Sequence, residues 1–117
     1  MIEGIHHIAI IVSSEKTVDF YKKLGFTEFF RKERAYDTVV LLEGYGTKLE
    51  LFIDPNHPGR ATNPENLGLR HMAIKVDNIE ETVRRYNLTI ESIEQDWMGI
   101  RFAYFEDPDG LQIELHE

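Results

Sequence analysis

Apolar and polar residues fall in short blocks along this chain, and the blocks come in the same order twice. Gly4–Val12 and Gly68–Val76 are β-rich apolar runs bounded by polar turns, and both read as strands. Ser13 and Ser14 offer N-caps to a helix whose buried side takes Val18, Phe20, Tyr21 and Leu24. Gly25 stands where a left-handed residue ends such a helix. In the second half Asp77 and Glu80 have capping-box spacing, followed by Ile79, Val83 and Tyr86 at i, i+4, i+7. Three strand candidates follow each helix: 26–30, 37–43 and 47–53, then 89–94, 100–105 and 111–116. Gly44-Tyr45-Gly46 and Asp107-Pro108-Asp109-Gly110 mark turns, the second with Asp, Pro and Gly where a type I turn wants them. Residues 54–67, with three prolines and no periodicity, read as a linker. The pattern predicts an α+β chain of two tandem βαβββ modules, 1–53 and 68–117, forming a single domain.

The repeat is legible in single residues. Sliding the chain by 64 positions superimposes Gly4 on Gly68, His7 on His71, Ala9 on Ala73, Ile10 on Ile74 and Val12 on Val76. The same ungapped shift brings Leu24 onto Leu88, Gly46 onto Gly110, Glu50 onto Glu114 and Leu51 onto Leu115. Each half thus carries a His near its start and a Glu 43 residues later.

Composition narrows the class. The 117 residues are 42% hydrophobic and 29% charged, a globular balance that argues against disorder. Thirteen Lys+Arg against 21 Asp+Glu leave a formal charge of -8, which argues against nucleic acid as a partner. No apolar run approaches the roughly 20 residues that span a bilayer, and no basic-plus-apolar leader is visible, so a cytoplasmic protein without a membrane partner is expected. With no cysteine, thiolate metal sites and thiol nucleophiles are excluded. Any metal must be held by His, Asp or Glu.

Alternation along a strand puts His7 on one face with Ile5, Ala9 and Ile11, and His6, Ile8 and Ile10 on the other. Glu50 lies between Leu49 and Leu51, and Glu114 between Ile113 and Leu115, in strands otherwise suited to burial. A buried, unpaired carboxylate is costly unless a partner or a metal compensates. One such His or Glu is ordinarily a hydrogen-bonded or solvent-facing side chain. Four of them related by a repeat converge if the modules pair about a pseudo-twofold axis. Such a set suits Zn, Ni, Co, Mn or Fe as divalent ions, without discriminating among them. His6 reads as structural, and His57 and His116 are not counted as ligands, although His116 shares a strand face with Glu114.

At these residues the chain resembles the vicinal oxygen chelate superfamily, which includes glyoxalase I, fosfomycin-resistance proteins, extradiol dioxygenases, methylmalonyl-CoA epimerase and bleomycin-binding proteins. The marks are Ile5-His6-His7-Ile8-Ala9, Leu69-Arg70-His71-Met72-Ala73, and Glu106-Asp107-Pro108-Asp109-Gly110 followed by Ile113-Glu114. The resemblance covers essentially the whole chain. It implies modules forming open β-barrels around a divalent metal ion, with His7, Glu50, His71 and Glu114 as its ligands.

Members with two His and one Glu include the dioxygenases and fosfomycin-resistance proteins. Because the first-half Glu is also present, the chain resembles the glyoxalase-like isomerases (lactoylglutathione lyases) more closely. In that mechanism the metal polarises the oxygens of a hemithioacetal and stabilises an ene-diolate, while a glutamate moves a proton between adjacent carbons. The resemblance makes Glu50 and Glu114 candidate catalytic bases as well as ligands. It departs from glyoxalase I at Ile11 and Asp54, where that family commonly carries an Arg and an Asn that contact glutathione. Neither residue supplies a cationic grip on a carboxylate, which puts glutathione itself in question. Arg31, Arg34, Arg60 and Arg101 are alternative holders of an anionic substrate, and Phe102, Tyr104 and Trp97 are candidate cavity walls. The expected function is a metal-dependent glyoxalase-type lyase acting on a small-molecule α-oxoaldehyde–thiol adduct, as a homodimer. The alternatives are thiol addition to an epoxide antibiotic, catechol dioxygenation, and a non-catalytic module that traps a drug-like compound.

Overall fold

In the computed structural model, which describes residues 1–117, the chain forms two compact units, Met1–Pro58 and Gly59–Glu117. The first runs β1 (Ile8–Val12), α1 (Glu15–Lys23), β2 (Thr27–Glu33), β3 (Thr38–Gly44) and β4 (Thr47–Ile53). The second repeats the order with β5 (Met72–Lys75), α2 (Ile79–Tyr86), β6 (Glu94–Gln95), β7 (Arg101–Glu106) and β8 (Gln112–His116). Each unit holds one four-stranded mixed sheet, in the orders β1-β4-β3-β2 and β5-β8-β7-β6. The order is the same in both, with the parallel pair formed by the first and last strands of the unit.

The sheets follow the alternation in the sequence. Val12, Val40, Leu42, Leu49 and Leu51 are fully or almost fully buried, on the face that also buries Val18 and Tyr21 of α1. In the second unit Ala103, Phe105, Ile113 and Leu115 form the matching face, with Ile79 of α2 buried. Burying a Leu or Ile side chain is worth roughly 1.5–3 kcal/mol, so these faces hold each sheet to its helix. The opposite faces are part-exposed and mix apolar side chains such as Val39, Leu41 and Phe52 with polar ones, and there the candidate site lies.

The helix ends are built as the residues suggest, with one shift. Ser14, in extended conformation, accepts from the Lys16 N–H, and α1 stops at Leu24 before Gly25 at φ 110°. In α2 the cap is Asn78 rather than Asp77: Asn78 Oδ1 accepts from Glu81 N at 2.9 Å. Asn and Asp cap equally well, so local backbone direction decides between adjacent candidates.

A two-residue turn joins β3 to β4, with Tyr45 at φ 55° and Gly46 at φ 73° between the paired Gly44 and Thr47. Two positive φ values give the type I′ twist that suits a hairpin. Tyr45 is unusual there, and its hydroxyl is tied to the Leu24 carbonyl at the end of α1. That ring passes over Gly25 so closely that a Cβ there would collide with the hydroxyl oxygen.

Two strand expectations need correction. β1 and β5 begin at Ile8 and Met72, four residues later than the apolar runs suggest, because the parallel ladders start at Ile8↔Leu49 and Met72↔Ile113. The strand expected over 89–94 shrinks to Glu94–Gln95, which pairs with only Phe102 and Arg101. Its residues are polar and exposed, so little apolar burial drives a longer ladder.

Candidate metal and acid–base site

Glu50 lies beside Ala9 in the β1–β4 ladder, and Glu114 lies beside Ala73 in the β5–β8 ladder. The two registers are the same under the 64-residue shift. Both glutamates point away from the helix-covered face, because their neighbours Leu49, Leu51, Ile113 and Leu115 point into it. His7 and His71 precede β1 and β5 by one residue, two before the alanines, and so share the glutamates' face. The small alanine leaves each imidazole room to reach its glutamate diagonally across the ladder.

The two pairs differ in tightness. His71 Nε2 stands 3.3 Å from Glu114 Oε1, and His7 Nε2 stands 4.0 Å from Glu50 Oε1. Two nitrogen or oxygen ligands on one tetrahedral ion, each about 2.1 Å from it, are about 3.4 Å apart. The first separation matches that span and the second is somewhat wider. All four groups are nitrogen or oxygen donors, so the chemistry of the set fits a divalent ion of the Zn, Ni, Co, Mn or Fe type. No three His, Asp or Glu side chains are grouped so as to hold a metal ion by themselves.

Glu114 is the more firmly held carboxylate. Tyr104, its cross-strand partner, donates from its hydroxyl to Oε1 at 3.0 Å, and His116 Nδ1 lies 2.8 Å from Oε2. Burial pushes the Tyr104 phenol above its ordinary range, and the Glu114 carboxylate acts in the same direction. Arg70 leans over the Tyr104 ring, and its Nη1 lies 2.9 Å from His71 Nδ1. Glu50 has no such collar: His7 is its one close polar neighbour, and its side chain is about twice as exposed, 26% against 14%.

Tyr104, Arg70 and His116 are thus the residues that sequence reasoning underweighted. The signal was present: Tyr104 and His116 share the Glu114 face by alternation, and Arg70 adjoins His71. Other candidates lie elsewhere. His6 does not turn inward, but is exposed with Nδ1 2.9 Å from His7 Nδ1. His57 pairs locally with Asp54 at 3.3 Å. Trp97, expected as a cavity wall, is 95% exposed on the turn before β7, where Asp96 binds the Met98 and Ile100 amides. Ile11, on the His7 face, is also exposed. No helix is long and apolar enough to cross a membrane.

The model of the Glyoxalase/Bleomycin resistance protein/Dioxygenase superfamily matches residues 4–115. The chain is 42% identical over 127 aligned positions to the uncharacterized protein YwkD of Bacillus subtilis (strain 168), covering 100% of this chain and 98% of that protein. Among solved structures, a glyoxalase family protein from Enterococcus faecalis is 36% identical, with a TM-score of 0.90 and 98% of each chain covered. Two structures at lower identity share the fold. A lactoylglutathione lyase from Agrobacterium tumefaciens is 20% identical, with a TM-score of 0.70 and 97% and 92% of the two chains covered. A FosX variant from Listeria monocytogenes, complexed with Mn(II) and a dihydroxypropylphosphonic acid, is 21% identical, with a TM-score of 0.74 and 99% and 90% covered. From the doubled module, its repeated register and these matches, the chain belongs to the Glyoxalase/Bleomycin resistance protein/Dioxygenase superfamily.

Proposed function

We propose that the protein is a metal-dependent lyase of glyoxalase type, moving a proton between adjacent carbons of an α-oxoaldehyde–thiol hemithioacetal. The observation that carries this reading is the doubled His–Glu pair, in the same register on the open face of each sheet. His7, Glu50, His71 and Glu114 would hold one divalent ion, within one chain or between two copies of it in a homodimer. When bound, the ion supplies Lewis-acid polarisation of substrate oxygens.

The chain's own groups divide the remaining work. Glu114, fixed by Tyr104 and His116, is suited to stay in place. Glu50, with one neighbour at 4.0 Å, has the freedom to take a proton from one carbon and return it to the next. A carboxylate is a competent base there once substrate excludes water from around it. Tyr104 keeps its proton and serves as a hydrogen-bond donor, since burial raises its pKa.

Supplying Ni²⁺ or Zn²⁺ with methylglyoxal and a panel of thiols, and following thioester formation, tests the reaction. Turnover lost in Glu50→Gln supports it. Full metal occupancy without turnover for any thiol rejects it. Oxygen uptake on a catechol with iron would favour the dioxygenase alternative instead.

A further inference from the structure

An anionic substrate approaching Glu50 needs a cation beside it. Lys32 and Lys48 share that face as exposed, flexible point charges, and the arginines differ in their freedom to supply an oriented one. Arg31 is spent: Nε and Nη2 donate to Glu28 at 3.0 Å each, and Nη1 and Nη2 donate to Glu15. Arg101 is spent as well, between Glu117 at 2.9 and 2.7 Å and Glu80 at 2.9 and 2.6 Å. Arg60 is exposed and reaches only the Leu69 carbonyl, at 3.4 Å.

Arg34 differs from all three. Its Nε and Nη2 grip Asp37 Oδ1 and Oδ2 at 2.6 and 2.7 Å, which leaves Nη1 at the outer edge of the fork without a hydrogen bond. The guanidinium carbon lies 4.7 Å from the centre of the Tyr36 ring and 5.5 Å from that of Phe52. Phe52 is two residues from Glu50 on β4, so it shares the Glu50 face, and the Glu50 carboxylate acts electrostatically on Arg34. Asp37 and the two rings therefore hold a planar donor with one edge open on the face of the candidate base. A guanidinium so oriented loses little freedom on meeting an oxyanion.

We propose that the open edge of Arg34 binds an oxyanion of the substrate handled at Glu50, so that the substrate is an anionic compound bearing a carboxylate or a phosphate. The assignment deepens the lyase reading and rests on it for the identity of the adduct. Asp37 is a positioning residue for Arg34, aligning the fork rather than touching substrate. The cation also offsets the repulsion that Glu50 exerts on an incoming anion.

The test is calorimetric titration of the metal-free full chain with 3-mercaptopropionate, inorganic phosphate and 2-mercaptoethanol. At least one anion should bind the wild type more tightly than 2-mercaptoethanol does, and the better anion distinguishes carboxylate from phosphate. Arg34→Gln should weaken that anion by about tenfold or more, the scale of a lost charged hydrogen bond. Arg34→Lys keeps the charge without the fork and should lose part of the affinity, as should Asp37→Asn. Equal binding of anions and 2-mercaptoethanol to the wild type overturns the assignment, as does unchanged anion binding in folded Arg34→Gln and Arg34→Lys. Arg34-dependent anion binding without turnover sinks the lyase reading and leaves this site standing. Turnover with cysteamine at the same kcat/KM as with 3-mercaptopropionate does the reverse.

Discussion

Tyr104 and Glu114 are directly opposed across the β7–β8 ladder, and the phenol donates to the carboxylate at 3.0 Å. Fixing one oxygen of a candidate ligand carboxylate restricts the rotamers it samples and orients its other lone pairs. Tyr104→Phe should therefore weaken binding of a divalent ion by about 10–100-fold, the usual cost of losing a hydrogen bond to a ligand. Isothermal titration with Zn²⁺ and with Ni²⁺ checks this, with thermal melting as the fold control. Unchanged affinity would mean that Glu114 is held well enough by His116 and His71.

Gly25 sits under the Tyr45 hydroxyl at φ 110°, and a Cβ placed there would collide with that oxygen. Gly25→Ala should thus cost about 1–3 kcal/mol, combining backbone strain with displacement of the Tyr45 ring. Tyr45→Phe removes the bond to the Leu24 carbonyl while keeping the ring, and should cost about 1 kcal/mol. Denaturant unfolding of both variants checks the order, and a larger loss in Tyr45→Phe contradicts it.

Acid should loosen the second unit through Glu117. Its carboxylate accepts from Arg101 and from the Ile79 amide that opens α2. The Arg101 guanidinium, and then that amide, hold its pKa at about 2, below the ordinary glutamate value. A depressed carboxylate stabilises the fold above its unfolded pKa of 4.5, and the contribution disappears as pH falls toward 2. Glu117→Gln should melt lower than wild type at pH 7 and show a flatter decline of Tm between pH 4.5 and 2. The same slope in both proteins would contradict this.

Much of the fold was legible because the apolar residues alternate. Leu49, Leu51, Ile113 and Leu115 announce one buried face each, and the 64-residue shift that pairs Ala9 with Ala73 and Glu50 with Glu114 survives as an identical ladder register. Strand starts were less legible, since His7 and His71 carry the same local pattern as the residues that pair but lie just ahead of the ladders. The pairing of His7 with Glu50 and of His71 with Glu114 was legible from their shared faces, and the groups around them less so. Tyr104 reads locally as an ordinary sheet aromatic, and its role depends on which residue faces it across the strand. The difference between Arg34 and Arg31 is invisible in sequence, because each has an acid three residues away, Asp37 and Glu28. It arises from how many carboxylates each guanidinium meets once folded.

The central claim is that both His–Glu pairs bind the same ion. Metal analysis of the Zn²⁺- or Ni²⁺-loaded protein, with X-ray absorption to count donors, measures this directly in the wild type and in His7→Ala, Glu50→Gln, His71→Ala and Glu114→Gln. The account predicts one ion per quartet, bound by two imidazole nitrogens and carboxylate oxygens, with affinity falling in every variant. Tight stoichiometric metal that persists unchanged when either pair is removed, or no specific metal binding at all, would contradict it.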